Sequence, residues 1–140
     1  IRDRSVSRGL GDVYKRQEKE SMPDQYDKVS LENFIKYSKD MFAYWTENDF
    51  AASFRKMLTL EQFRNEEMQA LYQQYLVAGP AGYVKDLFVG MGMKDADNKA
   101  DMFYSVMFFY YSLYDGAEEK GQIKDRFENV IDDIALKLNN

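Results

Sequence analysis

Met102-Phe-Tyr-Ser-Val-Met-Phe-Phe-Tyr-Tyr-Ser-Leu-Tyr114 is the stretch that decides the fold. Eleven of its thirteen residues are apolar or aromatic, and only Ser105 and Ser112 interrupt. Asp95 or Asp97 offers an N-cap ahead of it and Asp115-Gly116 closes it, so the run reads as a helix. A helix that is apolar all round is buried all round. At thirteen residues the run falls short of the roughly 20 that span a bilayer, so no membrane partner is expected. Cover must come from the chain's own core on one face. On the other it comes from more of the same fold or from a second copy of the chain.

The rest of the chain supplies the partners. The last helix is amphipathic, with Ile123, Phe127, Val130, Ile131, Ile134 and Leu138 on one side and Lys124, Asp125, Glu128, Asp132, Asp133 and Lys137 on the other. A short Gly-bounded turn makes it the second arm of an antiparallel hairpin. Two such hairpins about a two-fold axis would form an intermolecular four-helix bundle; the alternative is a monomer that wraps the apolar helix completely. Upstream, Ser30 caps a first helix whose stripe is Leu31, Phe34, Ile35, Ser38, Met41, Phe42 and Trp45. Glu47-Asn48-Asp49 stops it and caps a shorter helix bearing Phe50, Phe54, Met57 and Leu58. Asn65 caps a third, with Met68, Leu71, Tyr72, Tyr75 and Leu76 at helical spacing. Gly79-Pro80 should break that helix, yet Tyr83, Val84, Leu87 and Phe88 stay in phase. Residues 69–89 therefore read as one helix bent near Gly79-Pro80, or as two nearly coaxial pieces, ended by Gly90-Met91-Gly92. With no alternating run long enough for a strand, the expected fold is all-α: an orthogonal or antiparallel bundle of about five helices.

Composition narrows the chemistry. The 140 residues suit one domain and include neither His nor Cys. That removes Ser-His-Asp and Cys-His triads, zinc sites of the usual ligand set and disulfides. Glu66-Glu67 and Glu118-Glu119 sit at helix starts, where capping explains them, and Gly90-Met-Gly92 is too short for a phosphate loop. Glu61 is the one acid to watch as a ligand handle. No enzyme, cofactor or metal is expected.

Ile1–Gln17 differs from everything after it. It lacks an apolar period, and SRGLGDVYKRQ within it resembles a translated sequencing adapter; the other reading is a genuine basic arm. It holds five basic residues against Asp3 and Asp12. Whereas the whole chain carries −5, the remaining 123 residues hold 14 basic and 22 acidic groups, a net −8. Such a surface repels a phosphate backbone. The expected organisation is an adapter-like segment over 1–17, a linker over 18–29 and one helical domain over 30–140, with coding sequence upstream of the adapter missing.

Eight Met and 22 aromatic residues (10 Phe, 11 Tyr, 1 Trp) make a soft interior for so small a domain. Met packs adaptably, and Tyr adds a hydroxyl to an apolar body. A cavity so lined could hold an apolar or amphipathic small molecule with a few polar anchors. The competing reading is a solid core in a helical interaction or scaffold module.

Phe54-Arg-Lys-Met-Leu-Thr-Leu-Glu-Gln-Phe-Arg-Asn-Glu-Glu-Met68, continuing Gln-Ala-Leu-Tyr-Gln-Gln-Tyr-Leu-Val-Ala-Gly-Pro-Ala-Gly-Tyr83, resembles the regulatory domain of tetracycline-repressor (TetR/AcrR) family transcriptional regulators. Phe103-Tyr-Ser-Val-Met-Phe-Phe-Tyr-Tyr-Ser-Leu-Tyr-Asp-Gly116 resembles the penultimate helix of that domain. The resemblance spans roughly 29–138 and implies a bacterial, cytoplasmic homodimer that senses a small apolar or amphipathic effector. It implies DNA contact only through an N-terminal helix-turn-helix domain, which is absent from this sequence. Mapped here, the effector pocket would use Phe42, Trp45, Phe54, Met57, Tyr72, Tyr75 and Tyr83, backed by Met107 and Tyr110. The dimer bundle would use Met102, Val106, Phe109 and Leu113 with Ile123, Phe127, Val130, Ile131 and Ile134. The bend at Gly79-Pro80 is the expected point of mechanical response.

Overall fold

A computed structural model describes residues 29–138 and is all-helical across them. In order come α1 (Leu31–Glu47), α2 (Asp49–Glu61), α3 (Glu66–Leu76), α4 (Ala78–Gly90), α5 (Ala96–Gly116) and α6 (Lys120–Leu138). Only Val77 separates α3 from α4, and counting that pair as one broken helix gives the five expected. The adapter-like segment and residues 18–28 of the expected linker lie outside the described residues. Val29, placed in that linker by the sequence reading, is buried and belongs to the core. It stands at N′ of α1 and Phe34 at N4, both in one cluster, as a hydrophobic staple arranges them.

Local chemistry sets most boundaries. The side chains of Ser30, Asn48 and Asn65 accept from the backbone N–H groups of Asn33, Ala51 and Met68 at 3.1, 2.9 and 2.8 Å, satisfying donors that a helix start leaves orphaned. Asn48 also ends α1, its own N–H donating to the Tyr44 carbonyl. At the end of α4, Gly92 takes φ 77°. The Gly92 and Met93 N–H groups then donate back to Val89 and Phe88, a Schellman closure that favours glycine. Asp95 begins α5 at φ 53° with no side-chain cap bond, a conformation Asp tolerates better than most residues. Lys120 covers the other end of α5, its Nζ donating to the carbonyls of Tyr114, Asp115 and Ala117.

The core is aromatic and continuous. Phe42 of α1 stacks on Phe127 of α6 at 4.0 Å and on Tyr111 of α5 at 5.2 Å. Two turns earlier, Phe34 meets Phe88 of α4 at 5.3 Å and Phe103 of α5 at 5.0 Å. Helix α5 is thus the central element, packed against α4, α6 and α1. Lys39–Asp132 and Lys124–Glu47, at 2.8 and 2.9 Å, tie α1 to α6 at the surface. The Glu47 hydrogen bond raises the pKa of Lys124 above its ordinary value.

The hairpin is covered unevenly, and one assignment within it is corrected. Helix α5 is not covered on all sides by the chain itself: Phe103, Tyr104, Met107, Tyr110 and Tyr111 are buried, whereas Met102 is 67% and Phe109 56% exposed. Phe127 and Ile131, assigned to the dimer bundle, are fully enclosed in the chain's own core. Helix α6 turns the Phe127–Ile131–Leu138 edge of its stripe inward and leaves Ile123, Val130 and Ile134 half-buried. The open apolar line on α5 is Met102, Val106, Phe109 and Leu113. Its spacing of four, three and four residues is that of a coiled-coil seam.

Arg55 clasps three helices. Its guanidinium, on α2, pairs through both terminal nitrogens with the Asp115 carboxylate on α5, at 2.7 and 2.6 Å. Its Nε–H donates to the Trp45 carbonyl on α1 at 3.2 Å, and the group lies 5.0 Å from the Tyr111 ring centroid. Asp115→Ala should destabilise the fold by about 2 kcal/mol in chemical denaturation. That is less than a fully buried pair costs to break, because Asp115 is 29% exposed and partly screened. An unchanged midpoint would contradict this account of the clasp.

Candidate functional site

Pro80 organises the centre of the molecule. It occupies the first turn of α4, where a missing N–H is tolerated. The break therefore falls at Val77, three residues before the proline, and not at Gly79-Pro80. Gly79 fits there because it has no side chain: a Cβ would lie 1.8 Å from the Gln74 carbonyl oxygen. The Leu76 carbonyl, last in α3, accepts the Tyr104 hydroxyl from α5 at 2.5 Å.

Beside this break lies a small void of about 30 Å³, room for about two water molecules. Helix α1 contributes Phe34, Tyr37, Ser38, Met41 and Trp45 to its wall. The α3–α4 break contributes Tyr75, Leu76, Pro80, Tyr83 and Val84, and α5 contributes Tyr104, Met107 and Tyr111. No charged side chain lines it. Two more open spaces adjoin it. A groove of about 470 Å³ runs over Val77, Ala81, Tyr104, Ser105, Phe108 and Phe109. A recess of about 190 Å³ holds the Arg55–Asp115 pair with Thr59, Tyr72 and Phe108. Tyr104 borders both void and groove, whereas Leu76 and Tyr111 border both void and recess.

Of the residues assigned to a pocket from sequence, Trp45, Tyr75, Tyr83 and Met107 meet at the void. Phe54 forms a layer behind it, 6.4 Å from Trp45 and 5.3 Å from Tyr75, while Tyr72 lines the recess. Phe42 and Tyr110 face α6 instead, stacking at 4.0 Å and tilting at 5.7 Å against Phe127. Met57 packs half-buried against the core. Glu61 borders none of these spaces; it pairs with Arg64 at 2.9 Å on the surface. Sequence reasoning passed over Met41, Tyr104 and Tyr111 as wall residues, and no local pattern singles them out.

Among the described residues, no group of three or more acidic, His or Cys side chains could hold a metal ion. None of their helices is long and apolar enough to cross a membrane. Tyr44 encloses its hydroxyl without a hydrogen-bond partner, and burial raises its pKa, but it borders none of the three spaces. No known protein family, curated sequence or solved structure matches the chain.

Proposed function

We propose that this chain is a ligand-sensing, homodimerising regulatory domain of a tetracycline-repressor-like transcriptional regulator. The observation that carries the reading is the uncharged, aromatic and Met-lined void set against a broken helix. An apolar wall with few polar groups suits an apolar or amphipathic effector. The break supplies the element that can move: sites for small organic ligands span about 300–1,000 Å³, so an effector has to widen a void of about 30 Å³. In this reading the two-fold partner covers the Met102–Val106–Phe109–Leu113 line of α5, flanked by Ile123, Val130 and Ile134. DNA is contacted by a separate helix-turn-helix domain, since the acidic surface of this one opposes a phosphate backbone.

Trp45, the chain's single tryptophan, is on the wall and reports the test directly. Titrating a panel of uncharged apolar and amphipathic compounds should shift its emission and raise the thermal midpoint. A ligand at a hundred times its Kd adds about 2.7 kcal/mol. If no compound moves either signal, ligand sensing is wrong. The smallness of the void supports the second reading, a solid-core interaction module, which such a result would favour. Sedimentation at micromolar concentration tests the dimer; Phe109→Asp should convert it to folded monomers, and a wild-type monomer would remove this part of the proposal.

A further inference from the structure

The void and the outer groove share Tyr104, and the chemistry of Pro80 explains what that residue does. In an uninterrupted helix the Leu76 carbonyl would accept from the N–H of residue 80, and proline has none. A buried carbonyl left without a donor is costly. Tyr104 supplies that donor from α5. That hydroxyl thus satisfies the Leu76 carbonyl, while the Tyr104 ring lines both the void and the groove.

Taking the void as an effector site, as proposed above, we infer that Tyr104 is the door to it. The effector is an uncharged molecule with an apolar body and one hydrogen-bond donor, of which a phenol is the simplest case. When Tyr104 swings into the groove, the molecule fills the space the ring leaves and donates to the Leu76 carbonyl in place of the hydroxyl. Three observations support this. The groove, at about 470 Å³, has room for the displaced ring. Phe108, 39% exposed and already 6.4 Å from Tyr104 between ring centroids, offers it an aromatic face on that side. The inner wall has no charged side chain, so a charged head would be buried without a partner. The vacated space is itself the shape of a phenol, with an acceptor where a phenol needs one.

The test compares para-cresol with para-xylene, which replaces the hydroxyl by a methyl of similar size. Affinities for the full chain, Tyr104→Phe and Pro80→Ala are read from thermal midpoints and Trp45 emission, with folding checked by circular dichroism. Para-cresol should bind wild type about tenfold tighter than para-xylene, because the donorless ring leaves the carbonyl unpaired. Tyr104→Phe frees that carbonyl, so its affinity for para-cresol should rise about tenfold and the preference should persist. Pro80→Ala restores an N–H at position 80 that competes for the same oxygen, and there the preference should shrink. Equal affinities for the two compounds overturn the inference, as does a folded Tyr104→Phe that binds para-cresol no better than wild type. If Tyr104→Phe does not fold, an undiminished preference in Pro80→Ala overturns it. Binding without preference leaves the void standing as an effector site; no binding of either compound overturns the inference, and sensing itself then rests on the wider panel.

Discussion

Phe127→Ala should lower the unfolding free energy by about 4 kcal/mol, and Phe127→Glu should abolish the fold. The ring is fully buried, stacked at 4.0 Å on Phe42 and tilted at 5.7 Å to Tyr110. It joins α6 to both α1 and α5. Truncation removes its transfer free energy and leaves a cavity that rigid aromatic neighbours cannot fill. A carboxylate there would be buried without a partner. The experiment separates the two roles open to this residue. At a subunit seam, Phe127→Glu gives folded monomers with a native far-ultraviolet spectrum; in the core it gives an unfolded chain. Phe109→Asp is the control, because Phe109 is 56% exposed and its loss should change protomer stability by no more than about 0.5 kcal/mol.

Gly79→Ala should cost about 3 kcal/mol, and the neighbouring Gly82→Ala should instead add about 0.5–1 kcal/mol. The two glycines lie within one turn of α4 but in opposite surroundings. A Cβ at position 79 would sit 1.8 Å from the Gln74 oxygen and 2.8 Å from its carbonyl carbon. Both are backbone atoms of the preceding helix, so no side chain can turn aside and the break itself must open. A Cβ at position 82 meets nothing within 4 Å, and alanine there only restricts the unfolded chain. Denaturation midpoints moving in opposite directions are the expected result. Equal shifts would show that the approach of Gly79 to Gln74 does not constrain the fold.

These contrasts mark what the sequence could disclose. Ser30, Asn48 and Asn65 were legible as caps because a cap is a local contract between a short polar side chain and an N–H three residues on. The all-helical class was legible because helical periodicity ran from α1 to α6. The break was placed two to three residues late, at Gly79-Pro80, because proline marks the first turn of a helix as readily as the end of one. Membership of the void depended on something no stripe encodes. Met41 and Phe42 are consecutive and about 100° apart around α1, and that rotation sends Met41 to the void and Phe42 to α6. Likewise the stripe of α6 did not say which edge would turn inward. The Arg55–Asp115 pair joins residues sixty apart in sequence, and no local pattern announces it.

That clasp has a thermodynamic consequence. Arg55 grips α1 through the carbonyl of Trp45, on the wall of the void, and α5 through Asp115, two residues beyond the end of its open apolar line. If the void takes an effector and α5 pairs with a second copy, as proposed, then displacing Trp45 works against the same joint that holds α5. Coupling of this kind is reciprocal: by whatever factor occupancy of the void strengthens or weakens self-association, self-association alters the affinity of the void by the same factor. The effector's apparent Kd would then depend on protein concentration, tightening or loosening as the subunits pair.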